Sequence, residues 1–120
     1  MHPDRFHRYV QRALDSIPEE LAGLLDNVAI VVEREPSPDD LAEAGLGPRE
    51  ELFGLYVGTP LIDRVNYNMV LPDRILIYQG PHERHFSRDE LPEQIRRTVV
   101  HEIAHHFGID DDRLHELGMG

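Results

Sequence analysis

The sequence predicts an α+β domain, and three observations carry that expectation. The first sixteen residues space apolar side chains four apart. Three short β-branched runs follow, bounded by Gly and Pro. A long helical pattern closes the sequence, and its segment Arg96–Gly118 holds four of the eight histidines. Helix, then strands, then helix, without a regular βαβ repeat, is the pattern of an α+β layer arrangement. At 120 residues the chain is expected to form one domain with one modest core, spanning 1–120.

Each element follows from local pattern. Asp4 to Ser16 places Phe6, Val10 and Leu14 on one face with Tyr9 and Ala13 beside them, an amphipathic helix. Pro18 and the acidic pair Glu19–Glu20 open a short helical turn in "PEELAGLL". "NVAIVVE", Asn27 to Glu33, is a β-branched run of strand length. Pro36 and Pro38 break it, and a small helix from Ser37 or Pro38 stops near Gly45. "ELFGLYVG" is a second strand, whose glycines suggest a bend or a close backbone approach. "TPLIDRVNYNMVLPD" reads as a long loop, "RILIYQG" (Arg74 to Gly80) as a third strand, and "PHERHF" as a turn or short loop. From Ser87 the chain turns helical, with Ser87 or Asp89 as N-cap and Glu90 at capping-box spacing from Ser87.

Composition excludes several classes of function. With 40% apolar and 29% charged residues the chain is of ordinary globular type. A net charge of −11 offers no basic stripe for nucleic-acid phosphates or for an anionic membrane surface. No Cys is present, which removes disulfides, thiolate metal sites and a cysteine nucleophile. The opening "MHPDRFHRYVQRAL" lacks the apolar run of a signal peptide, and no segment approaches the roughly 18 apolar residues of a membrane span. The expected location is cytoplasmic.

The histidine segment carries the chemistry. On a helix, His101 and His105 lie about 40° apart and one turn removed, with Glu102 about 100° round from His101. Ile95, Val99, Val100, Ile103, Ala104 and Phe107 fill roughly the opposite half, and His106 sits on that apolar flank. Imidazoles at i and i+4 can aim their nitrogens at one tetrahedral metal ion, and a glutamate beside them can act as general base toward a water held there. Gly108 suits the left-handed residue that ends a helix and turns the chain. Three residues on, Asp111 offers a carboxylate as third ligand, or with Asp110 caps a terminal turn in "DDDRLHELG". Asp110, Asp112, His115 and Glu116 stand as alternative or additional ligands. The spacing His-Glu-x-x-His arises by chance roughly 0.05 times per shuffled chain of this composition, and the string extended through Gly108 and Asp111 on the order of 0.0004 times.

With "VVHEIAHHFGIDDD", and with "ALDSIPEELAGLLDNVAIVVE", "GLYVGTPL" and "LPDRILIYQGP" before it, the chain resembles the small bacterial zincin-like metallopeptidases, the minimal zincins. The extended motif is also similar to that of the metzincins, with aspartate replacing their third histidine; Met119 lies too near Asp111 to serve as their methionine turn. The resemblance implies a short mixed β-sheet packed against an active-site helix, with one strand, "GLYVG" or "RILIYQG", edging a shallow cleft. It implies one Zn²⁺ held by His101, His105 and Asp111, Glu102 as general base, and a peptide or protein as substrate. Another divalent cation is a substitute by the same donor chemistry. The competing expectation is a catalytically silent zinc-binding domain, in which His115 or Glu116 closes the fourth position. His82 and His85 are expected on a solvated loop, and Tyr56, Tyr67 and Tyr78 as packing residues.

Overall fold

A computed structural model describes residues 3–25, 28–58, 73–109 and 111–116. The elements in order are α1 (Pro3–Asp15), α2 (Glu19–Ala22) continued by a 3₁₀ turn (Gly23–Leu25), β1 (Val28–Glu33), α3 (Pro38–Glu43), β2 (Gly54–Val57), β3 (Asp73–Tyr78), α4 (Gln79–His85), α5 (Leu91–Phe107) and α6 (Asp111–Glu116). The expected loop over 59–72, with Tyr67, lies outside the described residues.

The three strands form one mixed sheet in the order β1-β3-β2, with β1 parallel and β2 antiparallel to β3. The central strand is apolar on successive residues because both of its faces are covered. Ile75 and Ile77 point toward α1 and α5, where they join Phe6, Val10, Ala13, Leu91, Ile95, Val99 and Ile103 in the main core. Leu76 and Tyr78 point the other way and pack with Leu55, Val31 and Leu52. The amphipathic pattern of α1 is thus used as expected, with Phe6, Val10 and Ala13 all buried. Because β3 is paired on both sides it cannot edge a cleft. Of the two strands expected in that role only β2 is an edge among the described residues, and it lies beside α5.

Local capping explains where α3 sits. The Ser37 hydroxyl accepts from the Asp40 N–H at 3.0 Å while the Asp40 carboxylate accepts from the Ser37 N–H at 3.2 Å, a reciprocal cap of the kind that satisfies two orphan donors at once. Asp40 also accepts from the Tyr78 hydroxyl at 2.8 Å, fastening α3 to the outer face of the sheet.

Two expectations fail locally. "PHERHF" is not a turn: β3 runs directly into α4 at Gln79. Gly80 and Pro81 punctuate the sequence like a turn, but Pro81 falls in the first helical turn, where the missing N–H has no intrahelical partner to lose. Gly80 donates its N–H to the Arg34 carbonyl at 2.8 Å. At the start of α5, neither Ser87 nor Asp89 is the N-cap; three turn residues intervene and the helix begins at Leu91. The capping-box spacing is half used, since Glu90 accepts from the Ser87 N–H at 2.9 Å. Among the described residues no helix is long and apolar enough to cross a membrane.

Candidate metal centre

Helix α5 divides into the two faces that its sequence periodicity sets. Ile95, Val99, Val100, Ile103 and Ala104 are buried, and His101 and His105 are exposed. Gly108 ends the helix with φ 68°. Its N–H reaches the His105 carbonyl at 3.2 Å and the Ile109 N–H reaches Ala104 at 2.8 Å, the paired bonds of a Schellman cap. The cap turns the chain into α6, whose first residue is Asp111. The Asp111 side chain and Asp110 lie outside what is described, so the third-ligand expectation is not reached.

The two imidazoles face each other with ring centroids 4.4 Å apart. His101, His105 and Glu102 each offer a ligand atom within 4.8 Å of the others, and among the described residues this is the group able to hold a metal ion. Asp112, His115 and Glu116 are not part of it; Glu116 instead accepts from Arg113 at 2.9 Å. The donor chemistry fits a divalent transition ion. Two neutral imidazoles one helical turn apart and a carboxylate beside them are the borderline-soft and hard donors such ions take.

Glu102, which flanks the two histidines on the wheel, is buried, with 8% of its side chain exposed. Strand β2 crosses above it. A Cβ at Gly54 would stand 2.8 Å from Thr98 Cγ2 and 3.0 Å from Glu102 Cγ, so only glycine lets the strand lie this close to the helix. The Tyr56 N–H donates to the Glu102 carboxylate, and His105 Nδ1 stands 3.3 Å from Glu102 Oε1. Burial lifts the carboxyl above its ordinary range, while the imidazoles of His105 and His101 and the Tyr56 N–H pull the other way. The result is a desolvated carboxyl beside two solvent-facing imidazoles. Beyond His101 a groove of about 440 Å³ runs along α5, walled by Leu52, Phe53 and Gly54 on one side and Gln94, Arg97 and Thr98 on the other.

The remaining histidines divide. His82, expected on a solvated loop, is fully buried in α4 between the Tyr78 carbonyl (2.7 Å from Nδ1) and Thr98 Oγ1 (2.8 Å from Nε2). His85 is exposed, 3.4 Å from Glu51. His106 is mostly buried and its Nδ1 lies 3.1 Å from the Asp73 carboxylate. Asp73 also accepts from the Tyr56 hydroxyl at 2.6 Å, so Tyr56 does more than pack. Asp73 drew no notice in the sequence, because nothing local distinguishes an aspartate that starts a strand from one that ends a loop.

A small mixed sheet over a helix bearing His-Glu-x-x-His defines a zincin-like protein. Residues 25–120 match the family model of the zincin-like metallopeptidases, and the chain belongs to that family. Its fold is similar to that of a conserved hypothetical protein from Thermus thermophilus, with a TM-score of 0.59 and 18% identity over 89% of this chain and 94% of that one. No curated protein matches the sequence.

Proposed function

We propose that the protein is a zinc-dependent peptidase, with His101, His105 and Asp111 as metal ligands, Glu102 as general base and an extended peptide as substrate. One observation carries the reading: the desolvated Glu102 carboxyl lies against two exposed imidazoles on a single helical turn. Zinc bound by these ligands supplies Lewis acidity, lowering the pKa of a water toward neutrality and polarising the peptide carbonyl.

Glu102 accepts the proton of the attacking water on a carboxylate oxygen and delivers it to the departing nitrogen. The carbonyl carbon gains an oxygen as the C–N bond breaks, and an acid and an amine leave. A carboxyl raised by burial suits both halves of that exchange, because its affinity for the proton lies nearer the working pH. The peptide lies in the groove beside Leu52–Gly54, next to β2, which among the described residues is an edge strand suited to strand addition. The silent alternative needs a fourth protein ligand, and neither His115 nor Glu116 stands with the three-residue group.

The test is metal content by plasma mass spectrometry on untagged protein purified without chelator, paired with cleavage of a peptide library. The expected result is about one zinc per chain in the wild type and in Glu102→Ala, weaker retention in Asp111→Ala and none in His101→Ala. Cleavage is expected in the wild type and absent from Glu102→Ala. If the wild type takes up no stoichiometric transition metal even when zinc is offered, the peptidase reading fails.

A further inference from the structure

Strand β2 is four residues long and, among the described residues, pairs on one side only, with β3. Short edge strands are the elements most prone to open locally, yet this one carries the backbone N–H that touches Glu102. The pleat shows how it is held. Tyr78 donates to the Phe53 carbonyl, and Phe53 precedes Gly54, which is paired with Ile77. Residues 53, 55 and 57 therefore bond to β3, whereas the backbone groups of Gly54 and Tyr56 point away from it. The side chains of Tyr56, Asp73, Ile75 and Ile77 share the face turned toward α5, since directly paired and alternate residues lie on one side of a sheet.

Helix α5 meets this face with two residues four apart, Glu102 and His106, which stand one above the other. The Tyr56 backbone is taken at Glu102 and its side chain at the level of His106. The Tyr56 hydroxyl donates to Asp73 Oδ2 at 2.6 Å and is hydrogen-bonded in turn to His106 Nδ1 at 3.3 Å, which also lies 3.1 Å from that carboxylate oxygen, and the Tyr56 and His106 rings stand 5.4 Å between centroids. Asp73 is 3% exposed. A carboxylate so buried persists only where hydrogen bonds replace its water, and Tyr56 and His106 are two of the groups that do so here.

We propose that Tyr56, Asp73 and His106 form a latch that fixes the edge strand on α5 and so aims the Glu102 carboxylate, making them positioning residues for the base. This rests on the reading of Glu102 as the base, but its geometry can be measured without turnover. The first readout is amide hydrogen exchange by NMR on the metal-free protein. In Tyr56→Phe and His106→Ala the amide of residue 56 exchanges about 10- to 100-fold faster. The amide of Leu55, bonded to β3, is unchanged. The second readout is kinetic: in the zinc-loaded variants kcat falls about tenfold with KM within about twofold and zinc retained. His106→Asn, whose amide N–H can replace the Nδ1–H, restores both. Equal loosening of residues 55 and 56, with KM rising beside a falling kcat, would mark a merely structural role and overturn the proposal, as would unchanged exchange at residue 56. Selective exchange in a protein whose wild type cleaves no peptide would uphold the latch and sink the peptidase reading alone.

Discussion

The two ends of the groove-facing stretch of α5 use histidine in opposite ways. At Thr98 the helix meets His82 of α4, whose ring is inaccessible and surrounded edge-on by Phe6 and Phe53. The Tyr78 carbonyl can only accept, so Nδ1 carries a proton, and Nε2 is hydrogen-bonded to the Thr98 hydroxyl, which also reaches the Gln94 carbonyl at 3.1 Å. Both nitrogens are occupied, and burial pushes the pKa of this ring down. One turn further on, His101 and His105 project into solvent with nitrogens close enough to share an ion. The residue type is the same at both places. Burial against exposure separates the histidine that holds the fold from the pair that can hold a metal.

Substitutions sharpen that contrast, and the largest effect falls on the buried ring. His82→Ala removes a fully buried side chain and takes one hydrogen-bond partner each from the Thr98 hydroxyl and the Tyr78 carbonyl, so it is expected to cost about 3 kcal/mol in urea unfolding. A loss below about 1 kcal/mol would show that the ring is not the support its contacts describe.

Glu102 gives an intermediate effect of opposite sign. In the metal-free protein Glu102→Gln keeps an acceptor for the Tyr56 N–H and removes a desolvated charge, so stability at pH 7 is expected to rise by about 1 kcal/mol. Its pH dependence opposes that of His82. His82 titrates in the folded state below its ordinary 6.5. The unfolded chain therefore binds the proton first, and stability falls as the pH drops below that value. Glu102 titrates above its ordinary 4.5, so the folded state binds the proton first and stability rises as the pH falls through that range toward 4.5. Each slope is bounded by about 1.4 kcal/mol per pH unit. Unfolding curves between pH 4.5 and 7.5, compared with those of His82→Ala and Glu102→Gln, separate the two; a Glu102→Gln difference that grows on acidification would reverse the sign assigned to it.

The smallest expected effect belongs to the open site. His101→Ala exchanges an exposed helical residue for a strong helix former, and without metal it should alter stability by no more than about 0.5 kcal/mol. With zinc added, the wild type should gain thermal stability that this variant does not. An equal gain in both would place the ion elsewhere.

Much of this was legible in the sequence. The faces of α1 and α5, the Ser37 start of α3 and the Gly108 stop follow from spacings of three and four residues, which a helix converts directly into neighbours. The strand of β3 was legible as well, because an unbroken apolar run suits a strand covered on both sides. Where the reading failed, at "PHERHF" and at His82, a local turn signal was overridden by packing. The Gly-Pro pair was absorbed into a first helical turn, and a loop-like histidine was drawn under Phe53.

By itself the sequence determined the pairing of His101 with His105, the place of Glu102 between them and the turn that leads to Asp111, since all of these lie within a few turns of one helix and its cap. Only the tertiary structure decided that Glu102 is desolvated, that Gly54 is where the strand crosses, and that Tyr56 meets a histidine fifty residues away. The reason is physical. Helical neighbours are set by bond geometry, whereas burial and partnership across the chain depend on which surfaces the whole fold brings together.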